Sequence, residues 1–360
     1  MISKEQIKEL SQRFSIDEFT VLREYIQIVF LGVLYSRKES QDIYFKGGTA
    51  IHLLLKASRF SEDLDFTAKL TTAELKDCLE DVLKKVNLVI LGTSLKKIDV
   101  GNKSLSGILS YQTEEMKFPL NIHIEFSIRE KPFTEEEKVL ETDFPVSPQP
   151  VIRHLGWQEI LSEKIRAFML RAKGRDIYDL WYLLSKGIDV NWKMVNKKLE
   201  FYEKTVSFQD ICDKVSKFDD KRIKDDLQKF LPAYDRNLVV HLKELLLKQL
   251  FSREEFVIRN SDNLDFSKMP GGAFSGTEKF FYDLKKTKIV LIERENKNVL
   301  RIDIKTDTGS EKHGWLRARN NNGVRELDII EKNKSAFKGK SYDDLINYKF
   351  NRGKDENKRP

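Results

Sequence analysis

The chain has 360 residues, 40% hydrophobic and 34% charged, with a formal net charge of +7; this length allows two or three domains of a polar globular protein. No apolar run approaches the roughly 20 residues of a membrane span, and the charged amphipathic start MISKEQIKELSQRF lacks the apolar core of a secretory signal. Only Cys78 and Cys212 occur, far apart, which argues against a disulfide framework or a cysteine zinc site and leaves the cytoplasm as the expected compartment. The charge is unevenly spread: residues 257–360 hold 23 Lys and Arg against 16 Asp and Glu, so the whole excess lies there and residues 1–256 balance. A basic segment of this kind suits a polyanionic partner such as RNA. It suits a lysine-rich solvated surface equally well.

In chain order, residues 3–37 predict two helices, with Ile7, Leu10 and Phe14, then Phe19, Leu22, Tyr25, Ile26 and Val29, at helical spacing. Residues 42–45 predict a short strand that Lys46-Gly47-Gly48 ends, followed by a helix over 49–56. A second strand opens at 64–66, and a helix covers 72–86 with Thr71 or Thr72 as its N-cap. Strands follow near 100–111 and 120–128. In the latter, Asn121, His123, Glu125 and Ser127 alternate with Ile122, Ile124, Phe126 and Ile128, giving one polar and one apolar face. The three prolines of DFPVSPQP (143–150) mark a boundary. Helices are then expected over 157–172, 177–186 and onward to about 251. The last hundred residues change to Gly-rich turns and alternating runs at 287–294 and 299–305, with a polar tail, NRGKDENKRP, expected to be disordered.

Four blocks carry chemistry. FKGGTAIHLL sets Gly47 and Gly48 where a strand becomes a helix, so that backbone and helix N-terminus can approach a phosphate and Thr49 can add a hydroxyl; an ordinary tight turn has the same appearance. In RFSEDLDF, Asp63 and Asp65 lie two apart on an expected strand, so both carboxylates share a face. Such a pair repels unless cations separate it, and magnesium clamping a triphosphate is one answer. Glu125, on the polar face of its strand, offers a third carboxylate that can ligate metal or act as base; an exposed surface glutamate is the plainer reading, and the same holds for His123. In EKIRAFMLRAKGRDIYDLWYLL, Lys164 and Arg171 are seven apart on one helical face, able to meet phosphates. Asp176 and Asp179 open the next helix, where capping and the helix dipole also favour acids.

Together, and in this order, KGGTAIHLLL, RFSEDLDF, EKIRAFMLR and RDIYDL resemble the AbiEii/MenT-type toxins of type IV toxin–antitoxin systems, within the DNA polymerase β-like nucleotidyltransferase superfamily. The resemblance runs from about residue 40 to 185. Fourteen residues separate Gly48 from Asp63, at or just beyond the usual long end of the superfamily's spacing. It implies an α+β fold: a polymerase β-like nucleotidyltransferase domain with a mixed sheet over 1–148, a helical second lobe over 149–256, and a small basic, β-rich segment over 257–360 that the resemblance does not cover.

The implied function is metal-dependent transfer of a nucleotide from a nucleoside triphosphate to RNA, the 3′ end of tRNA first, which blocks translation and growth. The implied partners are tRNA and a neutralising antitoxin. Asp63, Asp65, Lys164 and Asp176 would be catalytic. Lys46, Gly47, Gly48, Thr49, Ser61 and Arg171 would hold the nucleotide, Ser61 matching a serine that is phosphorylated in some relatives. Mg2+ or Mn2+ would sit on Asp63 and Asp65, with Glu125 as a further ligand. The alternatives are nucleotidylation of a protein and a nucleotide-binding regulator without turnover; intact carboxylates at 63 and 65 speak against the second.

Overall fold

The computed structural model describes residues 2–253, the last three as helical backbone only, and the backbone of short strands beyond them. The chain divides into two units, Met1–Leu247 and Lys248–Pro360. The first begins with α1 (Lys4–Phe14), opened by a capping box in which Ser3 and Gln6 exchange side-chain bonds to each other's amides. Asp17 caps α2 (Glu18–Tyr35), accepting from the Thr20 amide at 2.8 Å. There follow β1 (Ile43–Lys46), α3 (Gly47–Leu55), β2 (Leu64–Ala68) and α4 (Thr72–Val89), the last capped by Thr71 with Glu74. Next come β3 (Thr93–Val100), β4 (Ser104–Tyr111), β5 (Leu120–Ser127), β6 (Glu135–Val139) and β7 (Val151–Leu155). The helices α5 (Trp157–Arg171), α6 (Gly174–Ser185), α7 (Trp192–Glu200), α8 (Phe208–Ser216), α9 (Asp220–Leu227) and α10 (Leu242–Arg253) follow. No helix among the described residues is long and apolar enough to cross a membrane.

The seven strands form one mixed sheet in the order β3-β4-β5-β2-β1-β7-β6. At its centre β1 is antiparallel to β2, and β2 is parallel to β5. Register sets Phe45, Phe66 and Phe126 in a row across these three strands. All three are buried, and Phe66 stacks on Phe126 with ring centroids 4.8 Å apart. Phe30 of α2 covers Phe66 at 6.4 Å, so this row faces α2 and the main apolar core. One register step away lies a second row, Lys46, Asp65 and Glu125. Side chains alternate faces along a strand, so this charged row points away from that core.

The structure departs from the sequence expectation in instructive places. The expected strand at 100–111 is β4 alone; β3 precedes it, its periodicity broken by a register shift between Lys96 and Asp99. β6, with sequence EEEKV, is exposed at all five positions and has no apolar face to reveal it, as suits an edge strand. The expected boundary at 148 falls between β6 and β7, which pair with each other in the sheet; the proline segment is a connection within it. α3 starts at Gly47 rather than at residue 49.

In the second unit, beyond the end of α10, the described elements are strands. Thr287–Glu293 (β8) pairs with Leu300–Thr306 (β9), and Leu316–Asn321 (β10) pairs with Val324–Ile329 (β11), both antiparallel. The expected disordered tail lies outside the described residues.

A buried ionic knot ties α5 and α7 to the loop after β5. Lys198 of α7, 1% exposed, places its Nζ 2.7 Å from Glu159, 3.1 Å from Glu163 and 3.1 Å from Glu130. Arg166 adds a bond to Glu130 at 3.0 Å. Removing one partner of such a group strands the rest without solvent. Lys198→Met is therefore expected to lower the unfolding free energy by about 3–5 kcal/mol, read from urea denaturation. A loss under about 1 kcal/mol, the range of exposed pairs, would mean that the knot is solvated.

Candidate active site

The charged row forms the floor of a cavity of about 250 Å³. Lys46, Asp65 and Glu125 contribute from the sheet and Gly47 from the start of α3; Glu163, Lys164, Arg166 and Arg171 contribute from α5; Tyr202 contributes from the turn after α7. Residues far apart in sequence thus meet, Asp65 and Glu125 on the floor and Lys164, Arg166 and Arg171 on the wall.

The glycine pair makes the meeting possible. Gly47 has φ +81°, and a Cβ there would lie 2.2 Å from Asp65 Oδ2. A side chain would both strain the backbone and displace the carboxylate. A Cβ on Gly48 would come 2.4 Å from Arg59 Nη2 and 3.0 Å from Ser61 Oγ. The pair therefore lets the RFSEDLDF loop close against the start of α3. Thr49, 1% exposed, donates its hydroxyl to the Asp63 carbonyl oxygen and so fixes the turn into β2. Its hydroxyl is engaged within the protein rather than held out to a ligand. Ser61 is anchored through its carbonyl, which accepts from Gln27 Nε2 at 3.1 Å.

Asp63 precedes β2 rather than lying on it, and it is not among the cavity-lining residues. Asp65 is. Burial pushes the Asp65 carboxyl up to about 6; Asp63 and Glu125 push the same way, and Lys46 and Lys164 only partly oppose them. Glu125, with a side chain 52% exposed, has Arg129 at 3.9 Å. Glu163 behaves oppositely: burial works against its charge, yet Lys46, Lys198 and Arg166 hold its carboxyl down at about 2. Lys46 Nζ stands 3.3 Å from Glu163. Lys46 thus bridges floor and wall.

The two aspartates of RDIYDL divide the work of orienting the wall. Asp176, 1% exposed, accepts from the Lys173 amide at 3.2 Å and meets Arg171 at 3.3 Å. It lies behind the lining and holds Arg171, whose side chain is 55% exposed. Asp179, also buried, meets Lys164 Nζ at 2.7 Å and takes Arg59 by two bonds, Nε at 2.9 Å and Nη2 at 3.1 Å. Burial opposes its charge, but Arg59 and Lys164 keep its carboxyl below the usual carboxylate range. The sequence reading gave Asp179 only a helix-end role and overlooked Arg59 and Glu163. Their signals were in view: Arg59 opens the DxD block, and Glu163 adjoins Lys164. His123, exposed on β5, is not among the lining residues.

Whether the site fits a divalent metal can be judged from its donors. Among the described residues no group of three or more His, Cys, Asp or Glu is arranged to hold an ion unaided. Asp65 and Glu125 nonetheless stand side by side on paired strands, and Asp65 lacks enough neighbouring positive charge to ionise at its ordinary pKa. One or two hard carboxylates, with the rest of the shell left to phosphate oxygens and water, is the usual manner of binding magnesium. The residues fit a magnesium ion carried in with a polyphosphate.

The family model of the AbiEii nucleotidyl transferase toxin of type IV toxin–antitoxin systems matches residues 30–246, and the chain belongs to that family. Among solved structures it is similar to JHP933 from Helicobacter pylori, with 21% identity, TM-score 0.41, and 66% of this chain and 96% of that one covered. It is also similar to MenT4, a nucleotidyltransferase toxin from Mycobacterium tuberculosis, with 16% identity, TM-score 0.46, and coverage of 68% and 90%. No curated protein matches the chain in sequence.

The raised Asp65 carboxyl has a thermodynamic consequence. In the metal-free protein it titrates at about 6 against an ordinary 3.8. The folded state then holds the proton more tightly than the unfolded state, and this group's contribution to stability falls as pH rises from about 4 to about 6. Asp65→Asn removes the buried charge. The metal-free variant is expected to melt above the wild type at pH 7, with the gap closing below about pH 4. Calorimetry on chelator-treated protein reads this directly, and a variant that melts at or below the wild type at pH 7 contradicts it.

Proposed function

We propose that the cleft binds a nucleoside triphosphate with Mg2+ or Mn2+ and transfers its nucleotide to RNA, most directly the 3′ end of tRNA, so blocking translation and growth. The observation that carries this reading is the under-neutralised Asp65 beside Glu125, facing a wall that holds Lys164, Arg166 and Arg171. Such a pairing of acidic floor and cationic wall is complementary to a metal–triphosphate and to little else.

Each residue has a task in that reaction. Asp65 and Glu125 would hold the cation, with Asp63 beside them just before β2, and the ion would supply positive charge to offset that of the triphosphate. Lys164, fixed by Asp179, and Arg171, fixed by Asp176, would meet the triphosphate, and the pyrophosphate would leave toward them. The acceptor hydroxyl attacks the α-phosphate in line, and Glu125, the more exposed carboxylate, accepts its proton. Gly47, Gly48, Thr49 and Ser61 serve chiefly by shaping the turn around Asp65, and Lys46 ties the floor to Glu163 on the wall.

RNA is favoured over a protein acceptor by the basic excess in residues 257–360. A type IV toxin implies a cognate antitoxin as partner, and a growth-inhibiting one acts in the cytoplasm. The test is incubation with each labelled triphosphate, Mg2+ and total RNA. Label is expected in the tRNA band, abolished by Asp65→Ala and reduced at least ~10²-fold by Lys164→Ala, the range for losing a preorganised charge. Label entering protein instead would identify a protein-modifying enzyme. An active, toxic Asp65→Ala protein would overturn the site.

A further inference from the structure

The cleft just described accounts for phosphates and metal but leaves the nucleobase without a seat. One lining residue is of a different kind from the rest. Tyr202 follows α7 in the turn Phe201–Glu203, where Glu203 has φ +53°. It lines the same cavity as Asp65 and Lys164, yet it is 36% exposed. The other aromatic of the lining, Phe66, is fully buried in the row facing α2, so its ring is committed to the core. Among the described lining residues, only Tyr202 has an aromatic ring with surface left to offer.

Its surroundings hold that ring in place. The Arg166 guanidinium lies over it, 5.9 Å from the centroid. Arg166 is itself fixed by Glu130 at 3.0 Å and Glu163 at 3.4 Å. Phe201 packs edge-on against Tyr202 at 5.2 Å, and Phe201, 58% exposed, has Lys103 5.9 Å above its own ring. An aromatic ring held by an arginine, with surface left open into the cavity, offers a flat partner a place to stack. Nucleobases are such partners, because every base has a π-face and stacks on tyrosine with little regard to sequence.

We infer that Tyr202 is the stacking platform for the base of the incoming nucleoside triphosphate. This rests on the proposed function, which supplies the nucleotide. The base is assigned to the triphosphate rather than to the acceptor because the ring shares one small cavity with the carboxylates and cations that would take the phosphates. The platform predicts poor discrimination among the four bases by this contact alone.

The test compares two probes on the full chain by calorimetry in Mg2+: each nucleoside triphosphate, and inorganic tripolyphosphate, which has no base. Tyr202→Ala is expected to weaken every nucleoside triphosphate about 5- to 150-fold, the worth of one base–aromatic stack, and to leave tripolyphosphate affinity unchanged. Tyr202→Phe should bind like the wild type, and Tyr202→Leu, which keeps bulk without a π-face, should bind like the alanine variant. Unchanged tripolyphosphate affinity also certifies that the variants are folded. If Tyr202→Ala binds nucleotides as the wild type does, the platform is refuted while the phosphate site stands. If it does so and instead raises the KM for RNA, the ring serves the acceptor and this assignment is wrong. A wild type that binds neither probe overturns both this inference and the proposed function.

Discussion

The molecule depends on a constraint of β-structure: neighbouring residues on a strand must face opposite ways. β1, β2 and β5 place Phe45, Phe66 and Phe126 in one row and Lys46, Asp65 and Glu125 in the next. The phenylalanines dock the sheet onto α2, and that same docking turns the charged row outward toward α5. A slip of one residue in register would bury three charges and expose three aromatic rings, so the apolar core fixes the site's geometry. Fold and site are specified together, with no loop needed to aim the carboxylates.

Around this row the protein neutralises its buried acids selectively. Glu163 has Lys46, Lys198 and Arg166, and Asp179 has Arg59 and Lys164. Both are held in the charged state despite burial. Asp65 receives no comparable closure and keeps its proton up to about 6. Under the proposed function, this one unbalanced point inside an otherwise balanced network is where a cation would bind. The same network is rigid where it is complete. Lys164 and Arg171 are each held by a buried aspartate, so ordering them on a ligand costs little further entropy.

Much of this was legible in the sequence, and what was not has physical causes. The alternation around Glu125 and the order of the four blocks revealed β5, the DxD strand and the family, because a one-sided strand must alternate and each block spans no more than one element and the turn beside it. What pairs across elements was harder to see. Asp176 looked like the residue that completes the site, yet the structure puts it behind Arg171 and gives Asp179 to Lys164. The two acids are three residues apart on one helix, and which of them meets the lysine depends on how α6 is rotated against α5. Thr49 read as a phosphate donor, but its hydroxyl is bound to the Asp63 carbonyl. β6 stayed invisible because an exposed, acidic edge strand carries no apolar pattern.

The central claim is that the row of Lys46, Asp65 and Glu125 is a metal–nucleotide centre. A crystal of the full chain soaked with Mn2+ and a non-hydrolysable nucleoside triphosphate tests it most directly, through anomalous scattering. The account predicts a manganese peak within about 2.0–2.2 Å of an Asp65 oxygen, the range for small hard divalent ions, with phosphate oxygens completing the shell and Lys164 on the triphosphate. Manganese bound elsewhere with its nucleotide, leaving Asp65 without a ligand, would contradict it.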